Sequence, residues 1–313
     1  MRKMRGKVLV TGGSGFIGSH LIDRLIGKNE IVCVDNLSTG KCENVEHLMS
    51  HENFKFVERD VKKPLELNEK IDEVYHLASR ASPVDFEKFP IDILLTNSLG
   101  TYHMLELARK NKARLLFAST SEVYGDPERH PQREDYWGNV NSIGMRSCYD
   151  ESKRFGESLV MSYKRKFGMD VRIARVFNTY GSRMRSDDGR VIPNFITQAL
   201  RNEPITIYGK GKQTRSFCHV SDMVDGLTRL MNSKRTEPVN LGNPDEIKIL
   251  DLAKLIRKMC NSKSEIVFER MPENDPFRRR PDIGKARKHL NWNPRTDLET
   301  GLKMTIDWFK KKG

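Results

Sequence analysis

Four side chains could do chemistry together. Thr120 and Glu122 lie in Ser119-Thr120-Ser121-Glu122, and Tyr149 and Lys153 are spaced Tyr-x-x-x-Lys. The set comprises a hydroxyl, a carboxylate, a phenol and an amine. A phenol with its ordinary pKa of about 10 is a poor base at neutral pH. A neighbouring ammonium stabilises the phenolate and lowers that pKa. The four-residue spacing puts Tyr149 and Lys153 on one face of a helix. With Thr120 holding a substrate hydroxyl, this trio would oxidise a carbinol. Glu122 is superfluous for that step and points to chemistry on the adjacent carbon. The plainer alternative for Glu122 is a turn carboxylate ahead of Val123-Tyr124-Gly125.

A scaffold must bring these residues together. Lys7 to Thr11 reads as a short buried strand, followed by Gly12-Gly13-Ser14-Gly15-Phe16-Ile17-Gly18. Gly12 permits the tight turn, Gly15 lets a pyrophosphate approach the backbone at a helix N-terminus, and Gly18 lets helix and strand pack closely. Phe16 to Ile26 has helical periodicity, and Ile31 to Val34 is a second strand closed by Asp35. A carboxylate there accepts hydrogen bonds from an adenosine ribose and repels a 2′-phosphate, which favours NAD over NADP. The plainer reading of Asp35 is a turn residue beside Asn36.

Further strands are expected at Phe54 to Val57, Glu73 to Leu77, Arg114 to Ala118 and Val171 to Phe177. Helices are expected at Ile91 to Lys110 and Ser152 to Phe167. This alternation predicts an α/β class, with a doubly wound parallel sheet of the Rossmann type.

Beyond Phe177 the pattern changes to short elements between loops rich in Gly, Arg, Asn and Pro, including Pro272 to Pro281. We read residues 1–177, with about 214–241, as the NAD-binding domain. About 178–213 and 242–313 form a smaller α/β substrate domain over the C-terminal edge of the sheet. Arg183, Arg185, Arg190, Arg215 and Arg278 to Arg280 cluster in the C-terminal half, in loops that flank the crevice. Guanidinium forks suit phosphate and carboxylate oxygens, and Arg215 and Arg279 are the foremost candidates.

The 313 residues carry a formal net charge of +13. The basic residues are dispersed, without the interleaved aromatic platform that single-stranded nucleic acid requires. We therefore expect a solvated basic surface and a site for an anionic substrate rather than a nucleic-acid partner. No stretch approaches the roughly twenty apolar residues of a membrane span. The first strand starts too early for a signal peptide. Cys33, Cys42, Cys148, Cys218 and Cys260 are scattered, fit no metal-ligand spacing and suggest reduced thiols in a cytoplasm. His76, His130 and His219 read as structural or exposed.

Longer stretches add a resemblance. They include Asp35-Asn36 with Thr39-Gly40, Asn44 to His47, Ala118 to Pro127, His130-Pro131-Gln132, Glu134 to Gly138 and Cys148 to Glu151. Downstream come Arg175 with Phe177 to Thr179, Asp188 to Val191, Gln213 to Arg215 and Pro238 to Pro244. Nearly end to end, the chain resembles the extended short-chain dehydrogenase/reductase family. Within its nucleotide-sugar branch it is similar to the UDP-glucuronate decarboxylases.

The resemblance implies catalytic roles for Thr120, Glu122, Tyr149 and Lys153. It implies NAD contacts from Gly12, Gly15, Phe16, Ile17, Gly18, Asp35, Asn36, Thr39, Gly40, Asp60, Val61, Leu77, Ala78, Asn97, Tyr149 and Lys153. Thr120, Glu122, Asn178, Arg183, Val191, Tyr208, Gln213, Arg215 and Arg279 would face the nucleotide sugar. Of these, Arg279 would hold the substrate carboxylate or a neighbouring phosphate. The two long helices would pair in a homodimer's four-helix bundle. Arg80 and Phe86 stand where the family tends to have Pro and Tyr.

The implied reaction is oxidation of UDP-glucuronate at C4, loss of carbon dioxide from the resulting β-keto acid, and re-reduction to UDP-xylose. The alternatives are a 4,6-dehydratase, with Glu122 as base, and a 4-epimerase, which needs no carboxylate there. A dehydratase usually has Asp where Ser121 stands. Non-enzymatic alternatives are an NAD-binding regulator and a nucleic-acid-binding protein.

Overall fold

A computed structural model describes residues 6–270 and 278–312. Six strands form in chain order: β1 (Lys7–Thr11), β2 (Glu30–Asp35), β3 (Phe54–Glu58), β4 (Glu73–His76), β5 (Arg114–Thr120) and β6 (Val171–Val176). With Val239–Leu241 they make a seven-stranded sheet, ordered (239–241)-β6-β5-β4-β1-β2-β3. Every pairing in it is parallel. The order reverses between β1 and β4, which opens a crevice at the carboxyl ends of these strands.

The helices that frame the crevice are α1 (Phe16–Leu25), α2 (Pro83–Lys88), α3 (Pro90–Asn111), α4 (Ser147–Phe167), α5 (Val191–Arg201) and α6 (Val220–Met231). Strand residues alternate between the two faces of the sheet. Val8 and Val10 pack with Leu21, Ile22, Met223 and Leu227 from α1 and α6. Leu9 on the other face packs with Met104, Leu105 and Val160 from α3 and α4. Each such fully buried aliphatic contributes roughly 1.5–3 kcal/mol. Burial on both faces explains why the strands read as continuous apolar runs rather than alternating ones.

After β6, a third apolar cluster gathers Ile192, Phe195, Ile205, Ile207, Leu252, Ile256, Leu302 and Ile306. Ile205–Tyr208 pairs with Ile266–Glu269. Thr214–Ser216 pairs with both Glu246–Lys248 and Arg278–Arg279. Most of the loop expected at Pro272 to Pro281 lies outside the described residues.

One boundary shifts the chemistry. The sequence predicts a helix from Ser152, whereas α4 starts at Ser147. Ser147, Cys148 and Asp150 are weak helix formers, so local propensity conceals the first turn. Tertiary packing holds it: Cys148 and Tyr149 bury against Phe86 and Ile93. Tyr149 stands on this helix one turn before Lys153, as their spacing implies, and the added turn also carries Ser147, Cys148 and Asp150. Among the described residues no helix is long and apolar enough to cross a membrane.

Candidate active site

β5 ends at Thr120, and Ser121–Tyr124 continues as a single 3-10 turn. Thr120 Oγ1 accepts from the Glu122 amide at 3.2 Å, which caps the turn. The Thr120 hydroxyl also lies near enough to the Tyr149 phenol to lower its pKa. Lys153 Nζ donates to the Ala118 carbonyl at 2.9 Å and lies 5.8 Å from the centre of the Tyr149 ring. The end of β5 and the first two turns of α4 thus bring Thr120, Glu122, Tyr149 and Lys153 to one wall.

The electrostatics divide this wall. Burial raises the Tyr149 phenol above its ordinary value, the nearby Thr120 hydroxyl acts the other way, and the Glu122 charge adds to the rise. Burial alone brings Lys153 down to about 7. Burial also opposes ionisation of Glu122, but the charges of Arg279 and Arg146 win and hold it down at about 2. Arg146 Nη2 lies 2.5 Å and Arg279 Nη2 3.2 Å from the same oxygen, Glu122 Oε2. A carboxylate clamped by two guanidiniums is a poor proton donor. Its work is electrostatic and geometric.

Asp150 is the opposite case. Burial, then the Glu122 charge, push its carboxyl up to about 8, against the pull of Arg146 and Arg279. Its Oδ1 is buried without a hydrogen-bond partner among the described residues. The unfolded chain releases this proton near pH 4, whereas the folded chain keeps it to about 8. The stabilisation is complete below pH 4 and is lost as pH rises towards 8. Asp150→Asn should remove that slope. Melting temperatures taken from pH 5 to 8 should show the variant gaining on wild type by about 3 °C or more. Parallel curves would mean that Asp150 is already ionised.

The wall forms one side of a cleft of about 1370 Å³. Gly12, Gly15, Phe16, Ile17, Gly18, Asp35, Asn36, Thr39, Val61, Leu77 and Ala78 line its cofactor side. Asn178, Arg183, Val191, Tyr208, Gln213, Arg215 and Arg279 also line it. Gly40, Asp60 and Asn97 do not. Gly40 backs the Asp35 carboxylate, where a Cβ would come within 2.8 Å of Oδ2. Asp60 accepts from Asn36 at 3.2 Å and pairs with Lys62. Asn97 is buried between α3 and α4, donating to Ser152 Oγ at 2.9 Å.

Arg183 pairs with Asp23 of α1 at 2.8 Å, so it flanks the glycine-turn helix. The histidines have structural partners. His76 is buried between Thr11 and Thr101, His219 caps α6 through Ser221, and His130 meets Glu246.

The cofactor side fits NAD. Gly12 adopts φ +67°, and a Cβ on Gly18 would overlap the Gly12 carbonyl oxygen. The α1 N-terminus therefore lies open to a pyrophosphate. Asp35 is held by the amides of Ser14 (3.0 Å) and Leu37 (2.8 Å) in the cleft wall, where ribose hydroxyls would reach it.

The two departures from the family pattern acquire partners. Arg80 pairs with Asp92 at 3.0 Å and covers the Phe89 ring at 4.2 Å. Phe86 stacks on Tyr149 with ring centres 5.1 Å apart. Phe86 thus packs directly against the phenol. The sequence reading missed Arg146 and Asp150. Arg146 lies three residues before Tyr149, so helical spacing would have found it had the helix been started early enough.

A model of the NAD dependent epimerase/dehydratase family matches residues 8–242. UDP-glucuronic acid decarboxylase 1 of Danio rerio is 53% identical over 99% of this chain and 74% of its own length. The Arabidopsis thaliana protein of the same name is 50% identical over 99% and 71%. Among solved structures, UDP-glucuronic acid 4-epimerase from Bacillus cereus in complex with UDP-glucuronic acid and NAD superimposes with a TM-score of 0.88. It is 29% identical, with 98% of this chain and 100% of that one covered. DesIV, a dTDP-glucose 4,6-dehydratase from Streptomyces venezuelae, gives 0.90 at 26% identity, with 97% of each chain covered. The glycine turn, the parallel sheet and these matches agree, and the chain belongs to the NAD dependent epimerase/dehydratase family.

Proposed function

We propose that the protein decarboxylates UDP-glucuronate to UDP-xylose. One observation carries this reading: Glu122 and Arg279 meet beside Thr120, Tyr149 and Lys153. An arginine and a fixed carboxylate next to the carbinol chemistry suit a substrate with a carboxylate one carbon beyond the reacting centre. The decarboxylase relatives, about half identical over nearly the whole chain, support it.

Gly12, Gly15, Gly18 and Asp35 would hold NAD, which would supply a reversible hydride acceptor for C4. Tyr149 takes the proton of the sugar 4-hydroxyl while Thr120 holds that oxygen. The approach of the Lys153 ammonium favours the phenolate. Arg279 orients the 6-carboxylate, and Glu122 keeps Arg279 in place. The new ketone lies β to this carboxylate, so the C5–C6 bond breaks and carbon dioxide leaves. The electron pair moves onto the ketone oxygen, where Tyr149 and Thr120 donate hydrogen bonds. A proton added at C5 and reduction at C4 complete the cycle.

The Rossmann part (1–177 with about 214–241) holds the cofactor in this reading, and about 178–213 with 242–313 holds the nucleotide sugar. We further propose a homodimer built on α3 and α4. Ile91, Leu95, Leu99 and Tyr102 form an exposed apolar row on α3, and Phe155 is exposed on α4. A native mass of one chain at micromolar concentration would sink the pairing. The five cysteines are all free, which supports a cytoplasmic setting; fractionation of expressing cells tests it.

The deciding experiment incubates the protein with NAD and UDP-glucuronate and follows products by mass spectrometry. Carbon dioxide with UDP-xylose is expected. Intact UDP-glucuronate, or its C4 epimer without carbon dioxide, would overturn the reading.

A further inference from the structure

Arg279 reaches Glu122 only because a separate segment is fastened against the end of the sheet. Residues 278–282 have a short strand of their own, paired with Thr214–Ser216. Their second attachment runs through Gln132, which is fully buried. The Gln132 amide donates to Arg280 O (2.9 Å), and its carbonyl accepts from Asp282 N (2.8 Å). Its side-chain Oε1 accepts from Arg280 N at 2.8 Å.

Asn240, also fully buried, ties this joint to the sheet. Its Nδ2 donates at 3.0 Å to both Gln132 O and Asp282 O. Its Oδ1 accepts from Tyr124 Oη at 2.8 Å. Tyr124 closes the same 3-10 turn that presents Glu122. From Tyr124 the chain of bonds continues to Arg175 Nη1 (2.9 Å) and from Arg175 to Glu157 (2.7 Å). It ends at Ser119, beside Thr120, whose hydroxyl donates to Glu157 at 2.6 Å.

We infer that Asn240 and Gln132 are positioning residues that set where Arg279 stands relative to Glu122 and Thr120. Neither lines the cleft, so neither touches substrate. Three groups, the carbonyls of Gln132 and Asp282 and the Tyr124 hydroxyl, converge on one amide with complementary donors and acceptor. That amide lies between the element carrying Glu122 and the segment carrying Arg279. An Asp in its place keeps the acceptor and turns two attractive contacts with carbonyls into repulsive ones. The expected consequence is selective: the carboxylate end of the substrate loses its fixed partner, while the glycine turn and Asp35, at the other end of the cleft, are unaffected. This inference rests on Arg279 holding the substrate carboxylate.

The test uses the full chain with NAD and the variant Asn240→Asp. The Kd for UDP-glucuronate should rise about tenfold or more, the factor that goes with losing a hydrogen bond to a charged group. The Kd values for UDP and for NAD should move less than about threefold, within the ~0.7 kcal/mol of a peripheral change. Tyr124→Phe cuts the bond between this amide and the turn carrying Glu122 and should raise the UDP-glucuronate Kd by a smaller factor than Asn240→Asp, because the contacts to Gln132 O and Asp282 O remain. Amide exchange of the peptide spanning Arg280 to Asp282 should quicken in Asn240→Asp, with the β1–α1 peptide unchanged.

Unchanged exchange across 280–282 would overturn the inference. So would an equal loss of affinity for UDP, NAD and UDP-glucuronate, which marks general destabilisation. A wild-type protein that turns over no UDP-glucuronate would instead sink the proposed function, and the exchange experiment would still decide what Asn240 holds.

Discussion

Tyr149→Phe should lower turnover of UDP-glucuronate by roughly 10²–10⁴-fold, the usual effect of losing a general acid–base group. The variant keeps the ring that stacks on Phe86, so the first turn of α4 retains its packing. It loses the hydroxyl proposed to take and return the proton of the 4-hydroxyl. NAD and UDP-sugar affinities should stay close to wild type, because the glycine turn and Asp35 lie on other elements. Near-wild-type turnover would remove Tyr149 from the mechanism. A collapse of NAD affinity would show that the hydroxyl serves the cofactor site instead.

Arg279→Met should be the most destabilising single change in the site. Arg279 is 1% exposed and donates to the carbonyls of Ser121 and Gly125 (3.0 Å to the latter) as well as to Glu122. Methionine fills much of the volume but satisfies none of these acceptors. Breaking a buried pair from one side costs about 3–5 kcal/mol. Because Arg146 stays on Glu122, the lower end, about 3 kcal/mol, is expected. Denaturant midpoints would measure it. Adding Glu122→Gln to Arg279→Met should recover part of the stability, since a neutral amide no longer carries the burial cost that the Arg279 charge offset, although Arg146 loses its carboxylate partner. It should recover no decarboxylation. A double variant no more stable than Arg279→Met would mean that Arg146 alone satisfies Glu122.

Much of the scaffold was legible because its signals are local. The glycine triplet follows a strand and opens a helix within one short segment, and Asp35 closes the next strand. Runs such as Leu9 to Thr11 and Ile31 to Val34 show burial on both faces without any knowledge of neighbours. The Tyr149/Lys153 spacing is itself a helical property. The start of α4 was missed because Ser147 to Asp150 carry little helical propensity and owe their turn to contacts with Phe86 and Ile93, sixty residues or so away in sequence.

The chain by itself determined the parallel sheet, the nucleotide-binding turn and the placement of Thr120, Tyr149 and Lys153, since each depends on periodicity or spacing within a few residues. Only the tertiary structure decided what Glu122 is. Its charge state depends on Arg146, 24 residues on, and on Arg279, 157 residues on. The same holds for Asp150, kept neutral by burial beside Glu122, and for Asn240, which joins the turn carrying Glu122 to the segment carrying Arg279. Electrostatic and hydrogen-bond energies fall steeply with distance, so they depend on ångström-scale approach. Sequence separation contains no information about that approach.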